Sequence, residues 1–363
     1  MFYLTNRSRD HFSSMQNEKK TLSTRKIIIA VVLLIAIVGA VVGLQFYKTY
    51  FAGNVTDNEK FLYVRTGAGM EELLKEVEQK KILNDVGAFQ KAALKMELYT
   101  KLKPGKYSLK KGMNNRSLIN MIKAGNQEPV KLKFQGLRKK ENFAGYLSRQ
   151  LEPDSLTFIT YLDSTSVFEK YGFNKENFYT MFIPNTYEMY WNTAAPDFLE
   201  RMHQEYSKFW SQARKDKAAA LKLTPIQVTI LASIVDGEAL YDKEMPTIAG
   251  LYLNRLSKGI RLQADPTVIY ANGDFTVKRV TGPLLRVESP YNTYKYSGLP
   301  PGPIMMPSIA AIDAVLNKEN HDYIFMCAKE DFSGYHNFAK TRAEHEVNAD
   351  KYRAALNARK IFR

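Results

Sequence analysis

Hydrophobic positions fall into three rhythms along the chain, and each predicts a different kind of element. The first is a continuous run, Ile27 to Leu44, of eighteen uncharged and predominantly apolar residues preceded by Arg25 and Lys26. It is long enough to cross a bilayer as a helix. The polar, mixed residues before it show no apolar period and predict a disordered tail. The second rhythm alternates short strands with amphipathic helices. Phe61 to Arg65 predicts a strand, Met70 to Lys80 a helix with Leu73, Leu74 and Val77 on one side, and Asp85 to Glu97 a second helix. A turn and strand over Lys103 to Leu109 and a helix over Asn114 to Lys123, closed by Gly125, complete this small unit. It ends near Asn126 to Pro129. The third rhythm is mostly helical. Val130 to Phe134 alternates like a half-buried strand, and helices are expected over Asn142 to Gln150, Pro196 to Ala220, Thr224 to Glu238, Met245 to Ser257 and Ser308 to Leu316. A strand over Asp322 to Ala328 and a polar helix over Arg342 to Asn357 follow, while Arg261 to Pro307, dense in Pro, Gly, Asn and Tyr, predicts a long loop-like binding surface.

Within this pattern one helix keeps a carboxylate on its apolar side. Thr224 can cap it, Pro225 suits its first position, and Gln227 completes a capping box. At 100° per residue, Ile226, Ile230, Leu231, Ile234 and Val235 form a stripe that contains Glu238, whereas Asp236 points to the opposite side. Burial disfavours a charged carboxylate, so such an acid holds its proton to higher pH and suits general acid catalysis near neutrality. Gly237 beside it permits close approach of another segment or a ligand. The structural alternative is a glutamate paired with an arginine such as Arg255 or Arg261.

Composition narrows the compartment. Of a formal net charge of +15, residues 1–26 supply six bases and two acids, and most of the basic excess lies beyond the apolar run. Six bases precede that run and only Lys48 follows within a dozen residues, which predicts a cytoplasmic N-terminus and an exported remainder. A cleaved signal peptide is the competing reading, but the basic lead-in is long and Gly43 to Tyr47 is a poor cleavage site. An exported basic surface suits anionic envelope polymers and argues against nucleic acid. The five histidines (His11, His203, His321, His336, His345) show no metal-ligand spacing, and no nucleotide fingerprint occurs, so neither metal nor cofactor is expected. Cys327, alone and flanked by apolar residues, predicts a core position.

The order Ala232-Ser-Ile-Val-Asp-Gly-Glu238, Asn254-Arg255, Arg261-Leu-Gln-Ala-Asp-Pro-Thr-Val-Ile-Tyr270, Tyr291-Asn-Thr-Tyr294 and Gly298-Leu-Pro-Pro-Gly-Pro-Ile304 resembles the endolytic murein transglycosylases of the MltG or YceG-like family. His336-Asn-Phe338 with Thr341 resembles that family's C-terminal strand signature. The chain departs from the family pattern at Asp236, Gly237, Ala239 and Met306-Pro-Ser308. The resemblance implies an α+β protein with a cytoplasmic tail (1–26), a transmembrane helix (27–45), a small LysM-like α/β subdomain (55–128) and a larger mixed α+β catalytic domain (129–363). It implies a single-pass inner-membrane lytic transglycosylase facing the periplasm, with Glu238 as its catalytic acid and no cofactor. Its partners are then peptidoglycan glycan strands, with peptidoglycan synthases as further candidates. A peptidoglycan-binding scaffold without cleavage is the alternative. Gln263, Asp265, Thr267, Tyr270, Asn292, Tyr294, His336 and Phe338 are then expected to contact the glycan, with Pro300, Pro301 and Gly302 shaping the cleft wall. For each the competing reading is turn chemistry or ordinary packing, and Asp265 either raises the proton affinity of Glu238 or orients substrate.

Overall fold

The computed structural model describes residues 8–277, 280 and 282–359, with side chains from Thr24 onward. The chain divides into two units, Met1–Glu128 and Pro129–Arg363.

The first unit begins with α1 (Ser8–Tyr50). Its Thr24–Tyr50 portion contains an 18-residue window of mean hydropathy 3.3, none of it buried, and is long and apolar enough to cross a membrane. The helix starts well before the apolar run, against the expected disordered tail. Lack of an apolar period removes only the tertiary reason for a helix, and Met, Gln, Glu and Lys in this stretch are good helix formers. Then come β1 (Phe61–Val64), α2 (Met70–Gln79), α3 (Val86–Lys95), α4 (Leu98–Lys101), β2 (Gly105–Ser108) and α5 (Asn115–Ala124). β1 and β2 pair antiparallel, Leu62 opposite Tyr107. Asp85 and Asn114 cap α3 and α5 through their side chains, and Gly125 ends α5 in the left-handed region. Leu62, Leu73, Val77, Phe89, Leu118 and Ile122 fill the core. The buried Asn115 donates to the Thr49 carbonyl at 2.9 Å and accepts from Asn54 at 2.8 Å, tying the end of α1 to this core.

The second unit opens with β3 (Val130–Lys133), α6 (Lys140–Gln150), α7 (Ser155–Leu162), α8 (Thr165–Lys170), a short 3-10 turn, β4 (Thr186–Met189) and α9 (Ala195–Phe209). β3 pairs antiparallel with β4 and buries Val130 and Leu132 while Lys131 and Lys133 stay exposed. Around them Phe143, Phe158, Phe178, Phe182 and Phe198 form an aromatic core. α10 (Gln212–Ala220) follows as a separate helix, where the sequence pattern predicts one continuous helix from Pro196. The fully buried Trp210 sits at the break.

The second core surrounds α11 (Pro225–Glu238), with α12 (Met245–Ser257), α13 (Asp265–Asn272) and α14 (Ile309–Leu316) packed on it. The capping box at Thr224 and Gln227 is present. The stripe expected on α11 is too narrow a description, since every residue from Val228 to Val235 is buried, Thr229 and Ser233 included. Their hydroxyls bond back to the carbonyls of Pro225 and Ile230, which makes full burial tolerable. β5 (Phe325–Ala328) and β6 (His336–Ala339) pair antiparallel beside α15 (Arg342–Ala358). Cys327 is only half-buried there, not the core residue its neighbours suggest, because both faces of this two-stranded ribbon keep solvent contact.

The segment after the prolines joins the two cores. Ile304 and Met305 pack with α11, whereas Met306 enters the aromatic core. The Met306 N–H donates to the Leu137 carbonyl at 3.0 Å, and the Gly136 N–H donates to the Met306 carbonyl at 3.1 Å. Gly302 permits this course, since a Cβ there would lie 1.9 Å from the Glu176 carbonyl oxygen. Gly302→Ala is therefore expected to cost about 1–3 kcal/mol or more. Urea unfolding checks this; an unchanged midpoint would show that the proline-rich segment moves freely.

Candidate active site

Glu238 is the last residue of α11. The carboxyl of this partly buried side chain is densely surrounded by protein. The hydroxyl of the fully buried Tyr252, on α12, donates to Glu238 Oε1 at 2.8 Å. Neither arginine of the structural alternative pairs with it. Arg255 commits its guanidinium to the carbonyls of Ile324 (2.6 Å), Arg261 (3.1 Å) and Leu262 (2.8 Å) and to Gln263 Oε1 (3.2 Å). Arg261 donates to the Tyr294 carbonyl at 3.2 Å. Burial therefore dominates, and it pushes Glu238 up from 4.5 to about 7; the nearby Asp265 charge adds to the rise, while Tyr252, the Asp265 backbone amide and the more distant Arg255 oppose it.

α13 brings the second acid. The sequence pattern places only loop between Arg261 and Pro307, yet Asp265–Asn272 is helical, with Pro266 in its first turn and Gly273 ending it in the left-handed region. These signals are present in the sequence, but the helix spans only two turns and buries just Thr267 and Val268, too little for a visible period. Asp265 is open to solvent on one side and accepts the Tyr294 hydroxyl at 2.6 Å on the other. Burial lifts its carboxyl above the usual value, and the Tyr294 bond opposes that. Gly237 is where α11 meets α13: an added Cβ would lie 3.0 Å from Pro266 Cβ.

Thr267 and Asn292, expected to contact a ligand, are instead fully buried. Thr267 Oγ1 donates to the Ala264 carbonyl at 2.6 Å and lies 2.8 Å from Thr293 Oγ1. Asn292 Nδ2 donates to the carbonyls of Leu285 and Val287, and its Oδ1 accepts the Tyr294 N–H. Turn chemistry is the correct reading for both: they fasten the 285–294 segment and α13, and so aim Asp265 and Tyr294. Gln263 is exposed in the left-handed region at φ +50° and is held by Arg255. His336 and Phe338 lie on β6. The buried Glu244 accepts both the His336 backbone N–H (2.7 Å) and its ring at Nδ1 (2.8 Å). Phe338 stacks on Tyr323 with centroids 5.6 Å apart. Both contacts help to attach β6 to the rest of the unit. Tyr270 packs against Tyr291 at 4.8 Å, further along α13. Asp236 accepts the Ser308 N–H (2.8 Å) and hydroxyl (3.0 Å) at the start of α14, a structural task. Tyr252 is the residue that sequence reasoning missed; its place with Ile248 and Arg255 on one face of α12 was the available signal, because a buried tyrosine hydroxyl needs a partner. Among the described residues no group of three His, Cys, Asp or Glu side chains could hold a metal ion.

Glu238, Tyr252, Asp265 and Tyr294 thus form a polar cluster around one desolvated carboxyl, an arrangement able to hold a proton near neutrality. The YceG-like family model matches residues 62–351, and the chain belongs to that family. An endolytic murein transglycosylase of Bacillus subtilis strain 168 is 34% identical over 170 residues, 46% of this chain and 45% of the relative. One from Streptococcus pneumoniae D39 is 26% identical over 298 residues, 72% of this chain and 53% of the relative. The chain spans about half the length of these curated relatives. The 2.6 Å crystal structure of a yceG-like protein from Listeria monocytogenes matches with a TM-score of 0.53 at 25% identity, covering 79% of this chain and 97% of that one.

Because Glu238 binds its proton more tightly folded than unfolded, its contribution to stability is retained below pH 4.5 and is lost as pH rises through about 7. Glu238→Gln, which removes the buried charge, is expected to leave stability at pH 4 nearly unchanged and to raise it at pH 8 by up to about 3 kcal/mol. Denaturant titrations at the two pH values check this. Asp265→Asn should lower the Glu238 titration midpoint, and Tyr252→Phe should raise it, as read by carboxyl carbon NMR; shifts of the opposite sign would show that the cluster is misassigned.

Proposed function

We propose that this chain is a lytic transglycosylase that cuts within peptidoglycan strands, with Glu238 as its acid and then its base. The observation that carries this is one carboxyl group poised near neutrality, without an ion-pair partner among the described residues, in a member of a family whose curated relatives are named endolytic murein transglycosylases. Protonated Glu238 gives its proton to the oxygen linking N-acetylmuramic acid to N-acetylglucosamine as that bond breaks. The resulting carboxylate takes the proton of the muramic acid C6 hydroxyl, and that oxygen closes a 1,6-anhydro ring. The nucleophile belongs to the same sugar, so its proximity replaces the capture of a water. Tyr252 holds the carboxyl in place in both protonation states and limits the cost of the charged one. Asp265, Tyr294 and Gln263 line the approach and bind sugar hydroxyls.

Asp265 also supports a second reading. A second carboxylate near the acid is what a hydrolase needs to activate water or to attack the sugar, and its products end in reducing sugars rather than anhydro rings.

In this assignment residues 27–45 anchor the chain in the inner membrane with the N-terminus cytoplasmic and residues 129–363 as the catalytic domain in the periplasm. Residues 55–128 are a LysM-like glycan-binding subdomain, supported by paired strands that flank helices α2 and α3. Peptidoglycan synthases are natural partners of an enzyme that shortens new strands.

Incubation with peptidoglycan strands followed by mass spectrometry tests the reaction. Anhydro-muramyl ends are expected, at least about 100-fold fewer from Glu238→Gln, with the rate falling as pH rises through about 7 because the acid must be protonated. Reducing ends would select hydrolysis, and undiminished cleavage by Glu238→Gln would refute both readings.

A further inference from the structure

Within the second unit, on the side of α13 away from Asp265, lies a pocket of about 450 Å³ that the chemistry above does not use. That volume is in the range of small-ligand sites. Its walls are aromatic, with Tyr179, Tyr270, Phe275 and Tyr291 lining it. The Tyr179 hydroxyl lies closed off within the protein, so this residue contributes its ring to the wall.

The mouth carries both signs of charge. Lys140 and Asp163 also line the pocket and form an ion pair with each other. That leaves Arg138, Lys139 and Lys175 as bases and Glu141 and Glu176 as acids, and none of the five has an ion-pair partner among the described residues. Arg138 and Lys139 are held over the Phe275 ring, 4.8 and 5.3 Å from its centroid, so their charges stand at the aromatic wall. A neutral sugar would use the rings and leave these charges idle. A short peptide bearing carboxylates and an ammonium uses both.

We propose that this pocket binds the peptide substituents carried by the glycan, a recognition element separate from the sugar-cutting cluster. The proposal rests on peptidoglycan being the substrate. The five helical steps from Asp265 to Tyr270 span about 8 Å of helix axis, so one end of α13 faces the acid and the other faces the pocket. Pro303 and Met305 line the pocket, while Ile304 between them packs beside Gly237 and donates its N–H to Ser233 Oγ at 3.0 Å. A substrate peptide seated here thus bears on the two segments that position Glu238 and Asp265.

The test uses the full chain in membrane-mimetic detergent, titrated calorimetrically with the tripeptide L-alanyl-D-isoglutamyl-L-lysine, free and attached to N-acetylmuramic acid, and with chitotetraose as the neutral sugar. Both peptide probes are expected to bind, and Arg138→Gln combined with Lys175→Gln should weaken them about tenfold, the loss of one charge-assisted contact. Phe275→Ala, which removes the ring that holds the Arg138 and Lys139 charges at the pocket wall, should also weaken them several-fold. Failure of either peptide to bind, equal binding by the variants, or displacement of the peptide by chitotetraose would overturn the proposal. Absence of cleaved ends from the wild-type chain would instead remove the reaction assignment, and the titrations would still report on the pocket.

Discussion

The site depends on one electrostatic constraint: a carboxyl group ends a helix whose middle is fully buried, and no cation among the described residues pairs with it. α11 is enclosed from Val228 to Val235, and its last turn leaves Glu238 partly buried with its carboxyl crowded by protein. The C-terminal end of a helix carries partial negative charge, which further disfavours an anion there. The donor the protein does supply, Tyr252, is neutral. An arginine in its place would hold the acid ionised and useless as a proton donor. Arg255, close enough to act, is kept busy with three backbone carbonyls and Gln263, so its charge serves the attachment of β5 and the 261–263 segment.

The same packing explains why Asp236 and Glu238, two residues apart, have different tasks. Residues two apart on a helix point to nearly opposite sides. Asp236 faces the start of α14, where the Ser308 N–H and hydroxyl satisfy its two oxygens. Glu238 faces α12 and α13, where the Tyr252 hydroxyl donates to one oxygen and the Asp265 backbone amide acts more weakly. The acid with the fuller set of partners is structural. The one with fewer partners keeps spare hydrogen-bonding capacity.

Much of this was legible in the chain itself. The apolar run, the capped α11 and the position of Glu238 follow from periodicity and capping residues, which are local properties. The failures are non-local. Trp210 divides a helix because of the core it enters, and the all-round burial of α11 depends on elements distant in sequence. Thr267 and Asn292 read equally well as sugar contacts or as turn residues, and only the tertiary arrangement shows their polar atoms to be occupied. His336 was noticed for its motif, yet its partner Glu244 lies 92 residues away, beyond the reach of any pattern in one sequence.

α13 is then the element on which the acidity of Glu238 turns. It is short and buries two side chains, so its own helix propensity cannot fix it. Its position is set by the Thr267 to Thr293 contact, by the Gln263 N–H bonded to the Thr293 carbonyl at 3.2 Å, and by Pro266 lodged against Gly237. The Coulomb contribution of Asp265 to Glu238 falls with distance, so a displacement of α13 changes how tightly the acid holds its proton. Packing between threonines and a proline on a glycine thereby sets a chemical property, and the side chains that set it need never touch the substrate.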